Sequence, residues 1–248
     1  MTFTPSIWDF ALALALMAGN ALLDASFTEP LKRVADDGVA AARKRTYVAI
    51  LTFLWGMAAC VCALWWFEGR DWRALYVNAD VSWRLGAGIV LAAIVGGLLW
   101  VQREAAIKRV QANPDKPLSF GGGLDALLPR TRGELHLFSH VSIAAGVCEE
   151  LIFRGFLLAL MTSLCGLYAG AALSALLFGL CHGYQGVSGI VKTGLFGLLA
   201  TLVVVLTGSL IPMIIIHIAI DFAGGELSYR LVGDGRGAIL GRGAGAVS

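Results

Sequence analysis

Residues 146–160 read GVCEELIFRGFLLAL. The flanks of this stretch are apolar enough to cross a bilayer, yet Glu149, Glu150 and Arg154 lie near its middle. The whole chain poses the same contrast, since 58% of its 248 residues are hydrophobic and only 15% are charged. Its mean hydropathy is +0.76. That lies far outside the soluble range, and the long uncharged runs mark an integral membrane protein. A hydrocarbon core about 30 Å thick takes roughly 20 helical residues to cross. Long continuous runs satisfy their backbone in lipid only as helices, so the predicted fold is all-α, a polytopic transmembrane helical bundle.

Apolar windows place about seven spans, at 7–27, 46–67, 83–102, 138–162, 165–182, 187–206 and 209–224. The first has no basic segment before it, which favours an uncleaved span over a signal peptide. The links 28–45 and 103–137 and the tail carry fourteen Lys and Arg residues, against three (Arg70, Arg73 and Arg84) in the link 68–84. By the positive-inside rule the first group is cytoplasmic. The N-terminus is then outside, while the C-terminus and the His182 end of the fifth span are cytoplasmic. The chain divides into N-terminal spans and basic loops (1–137), a chemistry-bearing set of spans (138–224) and a flexible Gly-rich tail (225–248).

A net charge of +2 without an aromatic-interleaved basic face excludes a nucleic-acid partner. All five cysteines fall in apolar runs, which argues against a disulfide framework or a zinc ribbon. Cys148 and Cys181 adjoin a Glu and a His but read as small packing residues. His136 and His140 are four apart at a membrane edge with no Glu after the first, so they form no HExxH site.

Ionisable groups inside lipid usually mark function. Three spans carry a set of them. The fourth has Glu149, Glu150 and Arg154, the fifth ends FGLCHG with Phe178 and His182, and the seventh reads HIAID with His217 and Asp221. Glu150 and Arg154 are i, i+4 with the acid N-terminal, the favourable order for an ion pair. Glu149 sits about 100° round an α-helix from Glu150 and is free to face other helices. It is the candidate reactive carboxylate, and beside His182 it could take a proton from water. His217 and Asp221, again i, i+4, could steady the oxyanion formed when water attacks a carbonyl. The arrangement is that of a hydrolase.

EELIFRG resembles the EExxxR motif, FGLCH the FxxxH motif and HIAID the HxxxN/D motif of the CPBP family of intramembrane proteases. That family includes type II CAAX prenyl endopeptidases and homologues linked to bacteriocin processing. The resemblance covers roughly residues 138–224. It implies that Glu149 activates water with His182, that His217 and Asp221 form the oxyanion side, and that Arg154 supports Glu150 structurally. CAAX endopeptidases typically have Asn where Asp221 stands, and a carboxylate donates no hydrogen bond unless protonated, so Asp221 could orient His217 instead. Glu149, His182 and His217 also make up the His₂Glu set of a catalytic zinc. A metal-free route uses the same residues, and the resemblance favours that route, with no cofactor.

The expected activity is hydrolysis of a peptide bond near the membrane, in a membrane-embedded, lipid-anchored or prenylated substrate. Two other classes stay open. A proton-coupled transporter would use Glu149 and the histidines as a relay, although no internal repeat marks paired halves. A non-catalytic membrane chaperone or immunity protein of the same fold would not need Glu149 at all. Residues 1–137 match no motif.

Overall fold

The computed structural model describes residues 3–31, 33, 36–113 and 124–233. Lys32, Lys116, Arg236 and Arg242, used in the charge count, and the tail beyond residue 233 lie outside the described residues. Within them every regular element is a helix, with no strand. Five helices are long and apolar enough to span a bilayer. They are α1 (Ile7–Leu31), α2 (Asp36–Phe67), α3 (Trp83–Ala112), α6 (Gly186–Thr207) and α7 (Ile211–Val232). Between α3 and α6 stand α4, a continuous helical column over 132–165, and the shorter α5 (Leu167–Leu180).

The helices run past the apolar windows, mostly at the basic end. α2 starts ten residues before the expected 46, α3 continues to Ala112, and α7 reaches Val232, well past the expected 224. Hydropathy stops at the first charges, whereas Ala, Arg, Lys and Glu are good helix formers and carry the helix on. The charges there find partners. Arg43 on α2 reaches both oxygens of Glu134 on α4 at 2.8 and 2.9 Å, and its Nε donates to the Ala126 carbonyl. Glu134 also accepts from the backbone N–H of Arg130 and Thr131, closing a capping box at the start of α4. Arg103 on α3 pairs with Glu226 on α7.

At the opposite end Arg70 grips Asp9 through two bonds of 2.7 and 2.8 Å, and the Phe3 N–H donates to Ser163 Oγ. Leu210 N–H donates to the Tyr76 carbonyl, tying the α6–α7 turn to the 68–82 link. The start of α1, the end of α2 and the end of α4 therefore meet at the Arg-poor end. The start of α2, the start of α4 and the end of α7 meet at the Arg-rich end.

Close approach of α5 and α6 depends on glycine. A Cβ on Gly179 would lie 2.7 Å from the Ile190 carbonyl oxygen and 3.1 Å from Gly194 Cα. Small residues permit such backbone contact in membrane helices. Gly183, four residues on, has nothing near its Cβ position, so the small residue that meets Gly179 is Gly194 across the interface. Because the obstacle is backbone and cannot rotate away, Gly179→Ala is expected to cost about 1–3 kcal/mol. Thermal unfolding in detergent measures this, and an unchanged midpoint would refute the packing argument.

Candidate active site

The site is built on the middle of α4, and there the helix is not an α-helix. Ala145–Leu157 forms 13 residues of π-helix. Such turns are rare and concentrate at functional sites. The 100° step used to separate Glu149 from Glu150 therefore gives way to the wider π turn, which hydrophobic periodicity does not reveal. At the start of this segment Gly146 touches α7. A Cβ there would be 3.1 Å from Ile218 N and 3.2 Å from the Ile214 carbonyl oxygen. The missing side chain lets α4 and α7 close up one turn before Glu150.

That approach brings Glu150 and His217 together. Glu150 Oε1 accepts from Arg154 Nη1 at 3.1 Å, as the i, i+4 spacing predicts, and lies 2.8 Å from His217 Nδ1. A carboxylate only accepts, so Nδ1 carries the proton. The partner that orients His217 is thus Glu150, where Asp221 was expected. Asp221 Oδ2 stands 3.8 Å from the other ring nitrogen, Nε2, too far for a hydrogen bond. Spacing within one helix could not disclose this contact between two helices.

Glu149 faces the same nitrogen from the other side, its Oε2 3.9 Å from His217 Nε2. That oxygen is buried and has no hydrogen-bond partner. The side chain is 16% exposed against 0% for Glu150, so two adjacent glutamates divide into an available acid and an engaged one.

His182 follows the end of α5, and its Nδ1 lies 2.8 Å from the Phe178 carbonyl. A carbonyl cannot donate, so this fixes the proton on Nδ1 and leaves the Nε2 lone pair free. Phe178 holds the group together. Its ring lies 4.5 Å from His182 and 5.0 Å from Phe153 between centroids, and Arg154 Cζ stands 4.1 Å over it. The Arg154 charge thus meets an aromatic face as well as Glu150.

Glu149, His182, His217 and Asp221 all line one cavity of about 360 Å³. Its remaining wall is mostly apolar and comes largely from the N-terminal part, including Leu16, Met17, Ile50 and Phe53. Sequence reasoning assigned residues 1–137 no role. Several further residues carried no motif signal. Asn20 on α1 donates to the Cys181 carbonyl at 3.0 Å, the Tyr184 ring lies 5.9 Å from His182, and the Phe196 ring lies 5.8 Å from His217. Cys148 is buried in the core and Cys181 packs against Met17, as small apolar residues do, while His136 and His140 are exposed.

Residues 131–223 match the family described as type II CAAX prenyl endopeptidase Rce1-like. This segment, under half of the chain, is similar to that family. The match contains α4 through most of α7, and with them Glu149, His182, Lys192, His217 and Asp221 of the cavity wall, whereas Asp24 and Tyr47 lie outside it. The first 130 residues, which supply α1 to α3, lie outside the match. No curated protein and no solved structure matches the chain.

A zinc bound by Glu149, His182 and His217 would need three donors converging at ligand distance. Among the described residues no group of three His, Cys, Asp or Glu side chains does so. His182 Nδ1 is engaged with a carbonyl and His217 Nδ1 with Glu150, so only Nε2 of each ring could serve as a ligand. The three side chains are therefore not gathered at ligand distance in this arrangement.

Proposed function

We propose that the protein is an intramembrane endopeptidase that hydrolyses a peptide bond in a membrane-embedded or lipid-anchored substrate. The observation that carries the reading is Glu149 Oε2, buried without a hydrogen-bond partner on a side chain that lines a mostly apolar cavity beside His182 and His217. The match to type II CAAX prenyl endopeptidases supports the reaction class.

Glu149 acts as general base and takes a proton from water while the water oxygen bonds to the scissile carbonyl carbon. The free Nε2 of His182 accepts the second water hydrogen and aims the lone pair. Charge develops on the carbonyl oxygen, and the Nε2 face of His217, held by Glu150 at Nδ1, meets it in the protonated form of the ring. Asp221, 3.8 Å from that nitrogen, favours the protonated ring through its charge and makes no hydrogen bond to it. Collapse of the tetrahedral intermediate breaks the C–N bond, and Glu149 returns its proton to the leaving amine. Arg154 keeps Glu150 ionised as the fixed end of this chain. The route passes through no metal.

The Arg-rich end of the bundle holds the starts of α2 and α4 and the end of α7, and the positive-inside rule makes it cytoplasmic. The cavity extends from Glu149 towards that end, past Phe138 to Leu124 and Leu127, so its mouth is cytoplasmic. A site within the bilayer selects substrates that reside there.

The test is quantitative mass spectrometry of membrane-protein termini, comparing cells with the native chain and cells with His182→Ala at equal abundance. New C-terminal ends are expected with the native chain, falling about 10²-fold or more in the variant, the scale of a lost acid–base or water-positioning group. The same ends are expected to form in isolated membranes after metal chelation. Termini that do not differ between native chain and variant would end the protease reading.

A further inference from the structure

Within Ile7–Leu23 of α1, only Asp9 and Asn20 carry a carboxylate or an amide side chain. Asp9 pairs with Arg70 at the Arg-poor end. Asn20 lies outside the matched segment, yet its Nδ2 donates at 3.0 Å to the Cys181 carbonyl, 161 residues away in sequence. An amide inside lipid is costly unless bonded, and such bonds commonly act as glue between helices. The carbonyl that Asn20 meets gives this one a narrower role.

The Cys181 C=O and the His182 N–H belong to one planar peptide group. Its N–H side donates to the Gly179 carbonyl at 3.0 Å, within the last turn of α5. Its C=O side lies past the end of α5, where no further helical N–H is in register to meet it. Asn20 supplies that donor. The plane is thus pinned twice, by α5 through its N–H and by α1 through its carbonyl. His182 itself has φ −100° and ψ 21°, in the sparsely populated bridge region, so no helical ladder carries the residue. The backbone beneath the ring is held by this plane, and the ring by the Nδ1 bond to the Phe178 carbonyl. Neighbours of Asn20 keep α1 in place for the contact. Met17, one turn earlier, sets its sulfur 3.9 Å from Cys181 Sγ. Gly19 lets Phe53 of α2 close against α1, since a Cβ there would lie 2.5 Å from that ring.

We propose that Asn20 is a positioning residue, through which α1 holds the peptide plane that aims the His182 ring at the attacking water. This rests on the endopeptidase reading for what the ring does, and it gives part of the reacting geometry to residues outside the matched segment. Asn20 also lines the cavity, so the rival role is contact with substrate.

The test compares the native chain in lipid nanodiscs with Asn20→Leu, which keeps the side chain's size and removes the donor, and with Asn20→Ala. Cleavage of a quenched hydrophobic peptide is expected to lose about 10- to 100-fold in kcat, the scale of a displaced reacting group, with KM unchanged. The unfolding midpoint is expected to hold. Nitrogen NMR of isotope-labelled histidine, with the His182 signals assigned by their loss in His182→Ala, is expected to show one Nδ1-protonated tautomer with Asn20 and both tautomers without it. A raised KM at unchanged kcat overturns the proposal, because Asn20 would then touch substrate. So does an unfolding transition lost in both variants, because Asn20 would then hold the bundle together and not one ring. A His182 tautomer that ignores Asn20 overturns it as well. If the tautomer follows Asn20 but the native chain cleaves no peptide, the positioning stands and the protease reading falls.

Discussion

Glu149→Gln is expected to lower peptide cleavage by about 10² to 10⁴-fold, the range for loss of a positioned general base, while the protein still folds and accumulates. Both halves follow from one feature. Glu149 Oε2 is buried and accepts no hydrogen bond, so an amide of nearly the same shape breaks no partner there. The side chain lines the cavity and is not interlocked in the core. Gln cannot take a proton from water at neutral pH. Cleavage of a quenched peptide in reconstituted vesicles, read beside thermal unfolding, separates activity from stability. Cleavage retained within a few-fold would move the base elsewhere and rule out the mechanism above. A variant that fails to fold would mean that Glu149 is a packing acid.

The sequence discloses what lies along one helix and little of what lies between helices. Apolar runs located the helices because lipid imposes a single requirement on all of them, a satisfied backbone and an apolar surface. The Glu150–Arg154 pair was legible because i, i+4 neighbours are fixed by helix geometry, and it forms at 3.1 Å. The contact of Glu150 with His217 was not legible. It joins positions 67 residues apart and depends on Gly146 letting α4 meet α7. The π-helix was hidden as well, because a widened turn changes hydrogen bonding without changing composition. Lys192 did leave a signal, a lone cation in an uncharged run, but nothing in the sequence said that α6 turns that face towards the cavity. The cavity wall from α1 and α2 left none, since Leu16, Ile50 and Phe53 look like any lipid-facing or core residue.

Glu150→Ala is expected to have the opposite phenotype to its neighbour, with loss of stability of about 3–5 kcal/mol, the cost of stranding one member of a buried ion pair. Arg154 is 1% exposed and would lose its ion-pair partner, keeping the Phe178 and Phe196 faces, and His217 Nδ1 would lose its acceptor. Lower accumulation and a reduced unfolding midpoint in detergent are the measurements. The pair is not fully satisfied even in the native chain, for Glu150 Oε2 and Arg154 Nη2 have no hydrogen-bond partner. Its attraction therefore offsets desolvation incompletely, and removing both charges should hurt less than removing one. Glu150→Ala with Arg154→Met is expected to recover most of the lost stability. Cleavage should not return with it, because His217 would still lack the partner that fixes its proton on Nδ1. A double variant as unstable as the single would show that the stranded charge is not the cause. A double variant that is both stable and active would show that Glu150 merely neutralises Arg154 and that His217 needs no orientation from it.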